Sequence, residues 1–209
     1  MTPTRAHIAG SVLAATSVLA PGLAEAHLVA TGMGPICDGV VHFGVSPEDS
    51  LPVVILGLFA GLRGPRQARL ALFVLTGAWF AGGLVGLGGF APPALLLAVG
   101  TAVLFFLLGG LLAWNPSSPL WVVLSVAAGV GLVRGLDDLA GAPTSLADVA
   151  TLGGICGCVL AVCALTASVT LPLKRLGWIV AVRVGGSWMA ALGLLLAGWI
   201  IRYIDRGLR

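Results

Sequence analysis

The chain has 209 residues, 58% of them apolar and only 9% charged, with a mean hydropathy of +1.08, where a soluble domain carries about 25% charge. A water-soluble domain of this size could not hide so much apolar surface, which excludes a soluble enzyme and a disordered chain. The formal charge of +3 is too diffuse to track phosphates, which excludes a nucleic-acid binder. What remains is an all-α polytopic protein, a transmembrane helical bundle in a lipid bilayer.

The first element runs from Met1 through Arg5 into an apolar stretch from Ile8 to Leu23, ending Ala24-Glu25-Ala26. A charged start, an apolar middle and a small-x-small end are the order of a cleavable secretory signal. Residues 1–26 are therefore expected to be removed, leaving His27 at the mature N-terminus. The mature N-terminus then lies in the periplasm, and the bundle lies in a bacterial inner membrane.

Residues 27–50 hold His27, Cys37, Asp38, His42, Glu48 and Asp49, in a chain otherwise poor in such groups. Asp38 and His42 stand four apart, so a short amphipathic helix puts both on one face. Imidazole and carboxylate at that spacing suit a borderline divalent cation, and a free N-terminal His27 would add two nitrogens. The bland reading is equally concrete. Ser46-Pro47-Glu48-Asp49 has an N-cap, a proline at the first helical position and acids in the first turn, as a helix start does. A break at Ser46-Pro47 would also bare carbonyl oxygens toward an ion, as broken helices do in transporters.

Six apolar stretches follow, at about 47–62, 70–90, 93–114, 119–136, 148–172 and 178–201. A hydrocarbon core of about 30 Å takes about 20 helical residues, so five of them span comfortably. The first is short. The bundle is thus a six-helix unit over 47–209 behind a metal-capture segment over 27–50. With residue 27 outside, Arg63, Arg66 and Arg69, and Lys174 with Arg175, fall inside, as the positive-inside rule asks. An even span count leaves Arg202, Arg206 and Arg209 outside, against the same rule. Glycines four apart at 57/61, 82/86, 131/135 and 153/157 predict close helix packing.

Within the spans the reactive groups are few. Cys156, Cys158 and Cys163 read as small packing residues, and Arg183 as a side chain snorkelling to the inner surface. Too few methionines are present for Cu(I) handling. No histidine lies in any span to serve as a base for a serine nucleophile, so an enzyme is not expected. Arg134, Asp137 and Asp138 close the fourth span. They read either as an ion pair at a helix end or as a group in which Asp137 or Asp138 faces the bundle beside the front segment.

The pattern His27-x4-Gly32-x-Gly34-Pro35-x2-Asp38-Gly39-x2-His42-x4-Pro47-Glu48-Asp49-x2-Pro52, running into Ala60-Gly61-Leu62-Arg63-Gly64, resembles the start of HupE/UreJ proteins. The likeness extends through the span count to Arg183-Val-Gly-Gly-Ser187-Trp188. It implies a small membrane protein tied to nickel hydrogenases and ureases and acting as a nickel permease. Typical members carry Asp-His where Glu48-Asp49 stands here. Their fourth helix carries His-Gly-x-x-His or His-Gly-x-x-Asn where this chain has Arg134-Gly135-Leu136-Asp137-Asp138, and a cation at 134 would repel a metal.

Residues and resemblance together give a divalent-metal permease, with Ni²⁺ as the ion, capturing it at the periplasmic mouth through Asp38 and His42. His27, Glu48 and Asp49 come next, then Asp138. The alternative is a non-transporting membrane accessory that binds metal or docks a metalloenzyme during its maturation.

Overall fold

The computed structural model describes residues 31–142, 144–175 and 178–207. The expected signal peptide and His27 lie outside the described residues. Among the described residues seven helices follow one another: α1 (Pro35–Val45), α2 (Pro47–Arg63), α3 (Pro65–Leu87), α4 (Ala94–Trp114), α5 (Leu120–Asp138), α6 (Leu146–Arg175) and α7 (Ile179–Gly207). Among the described residues there is no strand. Helices α3 to α7 are each long and apolar enough to cross a membrane.

The short first stretch resolves into a bent pair. Helices α1 and α2 meet at Ser46 with a 76° bend. Proline at the first position of α2 fits a helix start, where its missing N–H is not needed. Ser46 takes the N-cap place, but its hydroxyl makes no cap bond. Its backbone serves instead: the N–H donates to the His42 carbonyl, and its own carbonyl accepts from the N–H groups of Asp49 and Ser50. Two carbonyls at this break, those of His42 and Ser46, are therefore already engaged. With 17 residues, α2 is about 25 Å long, short of a full crossing, and α1 lies across its end.

Packing follows the glycines. In α3 and α5, Gly82, Gly86, Gly131 and Gly135 bring the two backbones together, and a Cβ on Gly135 would sit 2.1 Å from the Trp79 carbonyl oxygen. Gly57 and Gly61 set α2 against Cys163, Thr166, Ala167 and Thr170 of α6. Gly39 of α1 abuts Thr151, and Gly154 of α6 abuts Ile36. The fourth predicted pair behaves otherwise: Gly153 and Gly157 face open space, so on α6 the tight contact falls on the neighbouring Gly154. Helices α4 and α7 pair through Gly109, Gly186 and Gly193. At the start of α6, Ser145 and Asp148 cap each other, the reciprocal arrangement that quiets free N–H groups.

At one end of the bundle two arginines bond across helices. There Arg63 donates from Nη1 to Asn115 Oδ1 at 2.6 Å and from Nη2 to the Pro116 carbonyl at 2.5 Å, with its guanidinium 4.1 Å above the Phe59 ring. Arg183 donates to the Ala113 carbonyl at 2.7 Å. Two cations thus close the C-terminal end of α4, where the helix dipole is negative. Arg183, expected only to snorkel, has a defined partner on another helix. Arg63→Ala is expected to cost about 1–3 kcal/mol, since it leaves the Asn115 and Pro116 acceptors without their donor. A lowered Tm in detergent, with faster proteolysis near Ser117, would check it.

Candidate metal centre

At the end opposite Arg63, three potential ligands converge. His42 comes from the last turn of α1, Asp49 from the first turn of α2, and Asp138 from the end of α5. The 76° bend brings the first two together: it turns α1 back over the start of α2, so residues seven apart face one another. Close packing of α3 on α5 supplies the third, because it fixes the end of α5 beside Trp79. His42 Nε2 lies 3.7 Å from Asp49 Oδ2 and 3.9 Å from Asp138 Oδ1. One donor atom from each of the three lies within 4.8 Å of the others. Metal–ligand bonds of about 2.1 Å hold their donors roughly 3.0–3.4 Å apart, so the two His42 separations need to close by under 1 Å, and no pair in the trio by more than about 1.8 Å, to seat an ion.

The surroundings are largely buried. The side chains of Asp49 and Asp138 are each 1% exposed, and that of His42 is 16% exposed. Trp79 Nε1 donates to Asp138 Oδ2 at 2.8 Å, with Phe43 edge-on to the indole at 6.3 Å. The indole bond fixes the carboxylate so that Oδ1 faces His42, a supporting contact of the kind metal sites need. Asp49 Oδ2 is buried and has no hydrogen-bond donor among the described residues. A buried carboxylate oxygen without a partner is costly, and it faces the imidazole.

Arg134 is also buried here, at 3% exposure. Its Nε and Nη2 both donate to Asp49 Oδ1, and its Nη1 donates to Thr101 Oγ1 at 3.1 Å and Asp137 Oδ2 at 2.5 Å. The charge expected to repel a metal is therefore engaged by two carboxylates. The i,i+3 pair with Asp137 was legible from spacing; the pair with Asp49, 85 residues away, was not.

The other expected ligands stand elsewhere. Asp38 is half-buried and accepts from the hydroxyl and the N–H of Thr31, at 2.6 and 2.7 Å. Those bonds, the hydroxyl's first, hold its carboxyl below the usual carboxylate range. It shares α1 with His42 but does not join the trio. Glu48 is exposed, and its charge is felt by His42. The imidazole is pushed above its ordinary range chiefly by the Asp138 carboxylate, with Asp49 and Glu48 adding to it and burial opposing. Trp79 and Thr101 carry no signal in the sequence beyond their residue types, although Trp79 lies one turn before the Gly82/Gly86 pair.

With the three carboxylates ionised and the imidazole neutral, Asp49, Asp137, Asp138 and Arg134 sum to a charge of −2. A divalent cation would neutralise the site. A family model described as HupE / UreJ protein matches residues 13–196. No curated protein and no solved structure matches the chain.

Proposed function

Because this chain belongs to the HupE/UreJ family, we propose that it is a divalent transition-metal permease with Ni²⁺ as its cargo, and that His42, Asp49 and Asp138 bind the ion at the outer mouth. The observation that carries this reading is the unpartnered, buried Oδ2 of Asp49, aimed at His42 Nε2. One neutral nitrogen and two anionic oxygens form a mixed set suited to Ni²⁺ and its first-row neighbours more than to Mg²⁺. Asp38, half-buried, and Glu48, exposed, serve in this reading to attract the cation on its approach rather than to hold it. His27, if freed at the N-terminus, would act at the same approach. The site faces the periplasm and the end with Arg63, Arg66 and Arg69 faces the cytoplasm, as the positive-inside rule favours, while Arg202 and Arg206 at the close of α7 run against it. The role is binding and passage, with no bond chemistry.

A second reading draws on the near-complete burial of two ligands, which suits holding an ion as well as passing it on. In that case the protein is an accessory that keeps metal for a hydrogenase or urease during its maturation. Reconstituted vesicles separate the two: a permease gives Ni²⁺ flux, an accessory gives stoichiometric retention without flux.

The test of the site itself is His42→Ala. His42 is the most exposed of the three ligands, so its removal should leave the fold intact. Cells lacking their own nickel transporter should accumulate Ni²⁺ with the wild-type chain and lose that accumulation with the variant at equal protein level. Saturating Ni²⁺ should raise the wild-type Tm, since a ligand at about 100 times its Kd adds about 2.7 kcal/mol, and should leave the variant's Tm unmoved. Normal accumulation by the variant would sink the assignment.

A further inference from the structure

We infer that Arg134 is a tethered counter-ion that sets the charge of the ion the site accepts and keeps its grip loose enough for release; the inference rests on the metal reading above. Three observations support it. Arg134 and the site's open position share the same carboxylates: the guanidinium holds Asp49 Oδ1 while Asp49 Oδ2 stays unpartnered, and Nη2 lies 3.9 Å from Asp138 Oδ1. An ion seated among His42, Asp49 and Asp138 therefore sits directly against a fixed positive charge.

The guanidinium also has a second set of partners. Nη1 is bonded to Thr101 and Asp137, on the side away from Asp49. When an ion draws on Asp49, Arg134 keeps those bonds, so its charge stays compensated and no buried cation is stranded. When the ion leaves, Asp49 returns wholly to Arg134.

The charge count then fixes valence. Three carboxylates alone would leave −3 and hold a divalent ion in a site still negative; with Arg134 the divalent complex is neutral. A guanidinium stays protonated under all working conditions, so this bias is constant. Passage requires binding strong enough for entry and weak enough for exit, and a built-in competitor lowers affinity without removing a ligand.

The test uses the full chain in vesicles, with Ni²⁺ as the probe, reading equilibrium Kd and flux together. Arg134→Gln should tighten Ni²⁺ binding by about tenfold or more, because a unit charge beside the ion is removed in a low-dielectric setting, and should slow flux. Arg134→Lys, which keeps the charge, should stay within a few-fold of wild type in both. Asp137→Asn lies outside the ligand trio and should weaken binding several-fold. Arg134→Gln combined with Asp137→Asn restores the net −2 and should return Kd toward the wild-type value, which keeps the test decisive even if the single Gln variant folds poorly. A wild-type chain that binds, with Kd unchanged in Arg134→Gln or not restored in the double variant, overturns the inference alone. A wild-type chain that binds no Ni²⁺ or other divalent cation overturns the metal reading and the inference with it.

Discussion

Asp49→Ala is expected to abolish Ni²⁺ binding and to destabilise the protein by about 3–5 kcal/mol, whereas Asp49→Asn should abolish binding at a much smaller structural cost. Both remove one of two anionic ligands. They differ in what they leave to Arg134, which is 3% exposed and directs two of its three nitrogens at Asp49. Alanine strands half of a buried guanidinium, and breaking one side of a buried pair costs about that much. Asparagine keeps an acceptor oxygen in place. Replacing both partners with apolar residues, as in Asp49→Ala with Arg134→Met, should restore much of the lost Tm, because no uncompensated charge is then buried. Thermal unfolding of the four proteins in detergent, with Ni²⁺ titrations alongside, checks each point. Equal losses of Tm for Asn and Ala at position 49 would show that Arg134 does not depend on this carboxylate.

The second large effect falls on packing. Gly135→Ala puts a Cβ 2.1 Å from the Trp79 carbonyl oxygen and 2.8 Å from its carbon. These are backbone atoms of a neighbouring helix and cannot step aside like the tip of a flexible side chain. The helices must separate, at a cost of at least about 3 kcal/mol, the upper range for overpacking. The damage reaches the metal centre, since Trp79 orients Asp138 and Arg134 precedes Gly135 on the same turn. Gly129→Ala on α5 is the matched control. Nothing lies within 4 Å of its added Cβ, and alanine is the better helix former by about 1 kcal/mol. Tm and Ni²⁺ affinity should both fall for Gly135→Ala and both hold for Gly129→Ala.

Class and span positions were legible because hydropathy reports directly on the bilayer. The shortness of Leu51–Leu62 was readable too, and it corresponds to the bend at Ser46. The site was legible only in part. His42, Asp49 and Asp138 could each be named from residue type and place in the chain, but their meeting depends on tertiary packing, which joins positions about 90 residues apart. The expectation of Asp38 beside His42 followed helical spacing alone. It did not reckon with Thr31, whose N–H and hydroxyl both bind Asp38. Arg134 was the hardest to read. A basic residue at a helix end ordinarily faces water, and nothing local to α5 announces a carboxylate arriving from 85 residues upstream. The small-residue spacing correctly flagged three of the four glycine pairs. For Gly153/Gly157 it fixed the helix but not the face, because α6 has several small residues in a row.

That long separation has a consequence for biogenesis. Ribosomes release the chain from its N-terminus at about 5–20 residues per second, so Asp49 emerges some seconds before the arginine that will neutralise it. An aspartate costs about 2.5–3.5 kcal/mol at mid-depth, but Asp49 stands in the first turn of α2, near the surface, where the cost of waiting is smaller. Until α5 is made, that carboxylate can stay in water at the membrane surface, and its buried pairing with Arg134 is completed only afterwards.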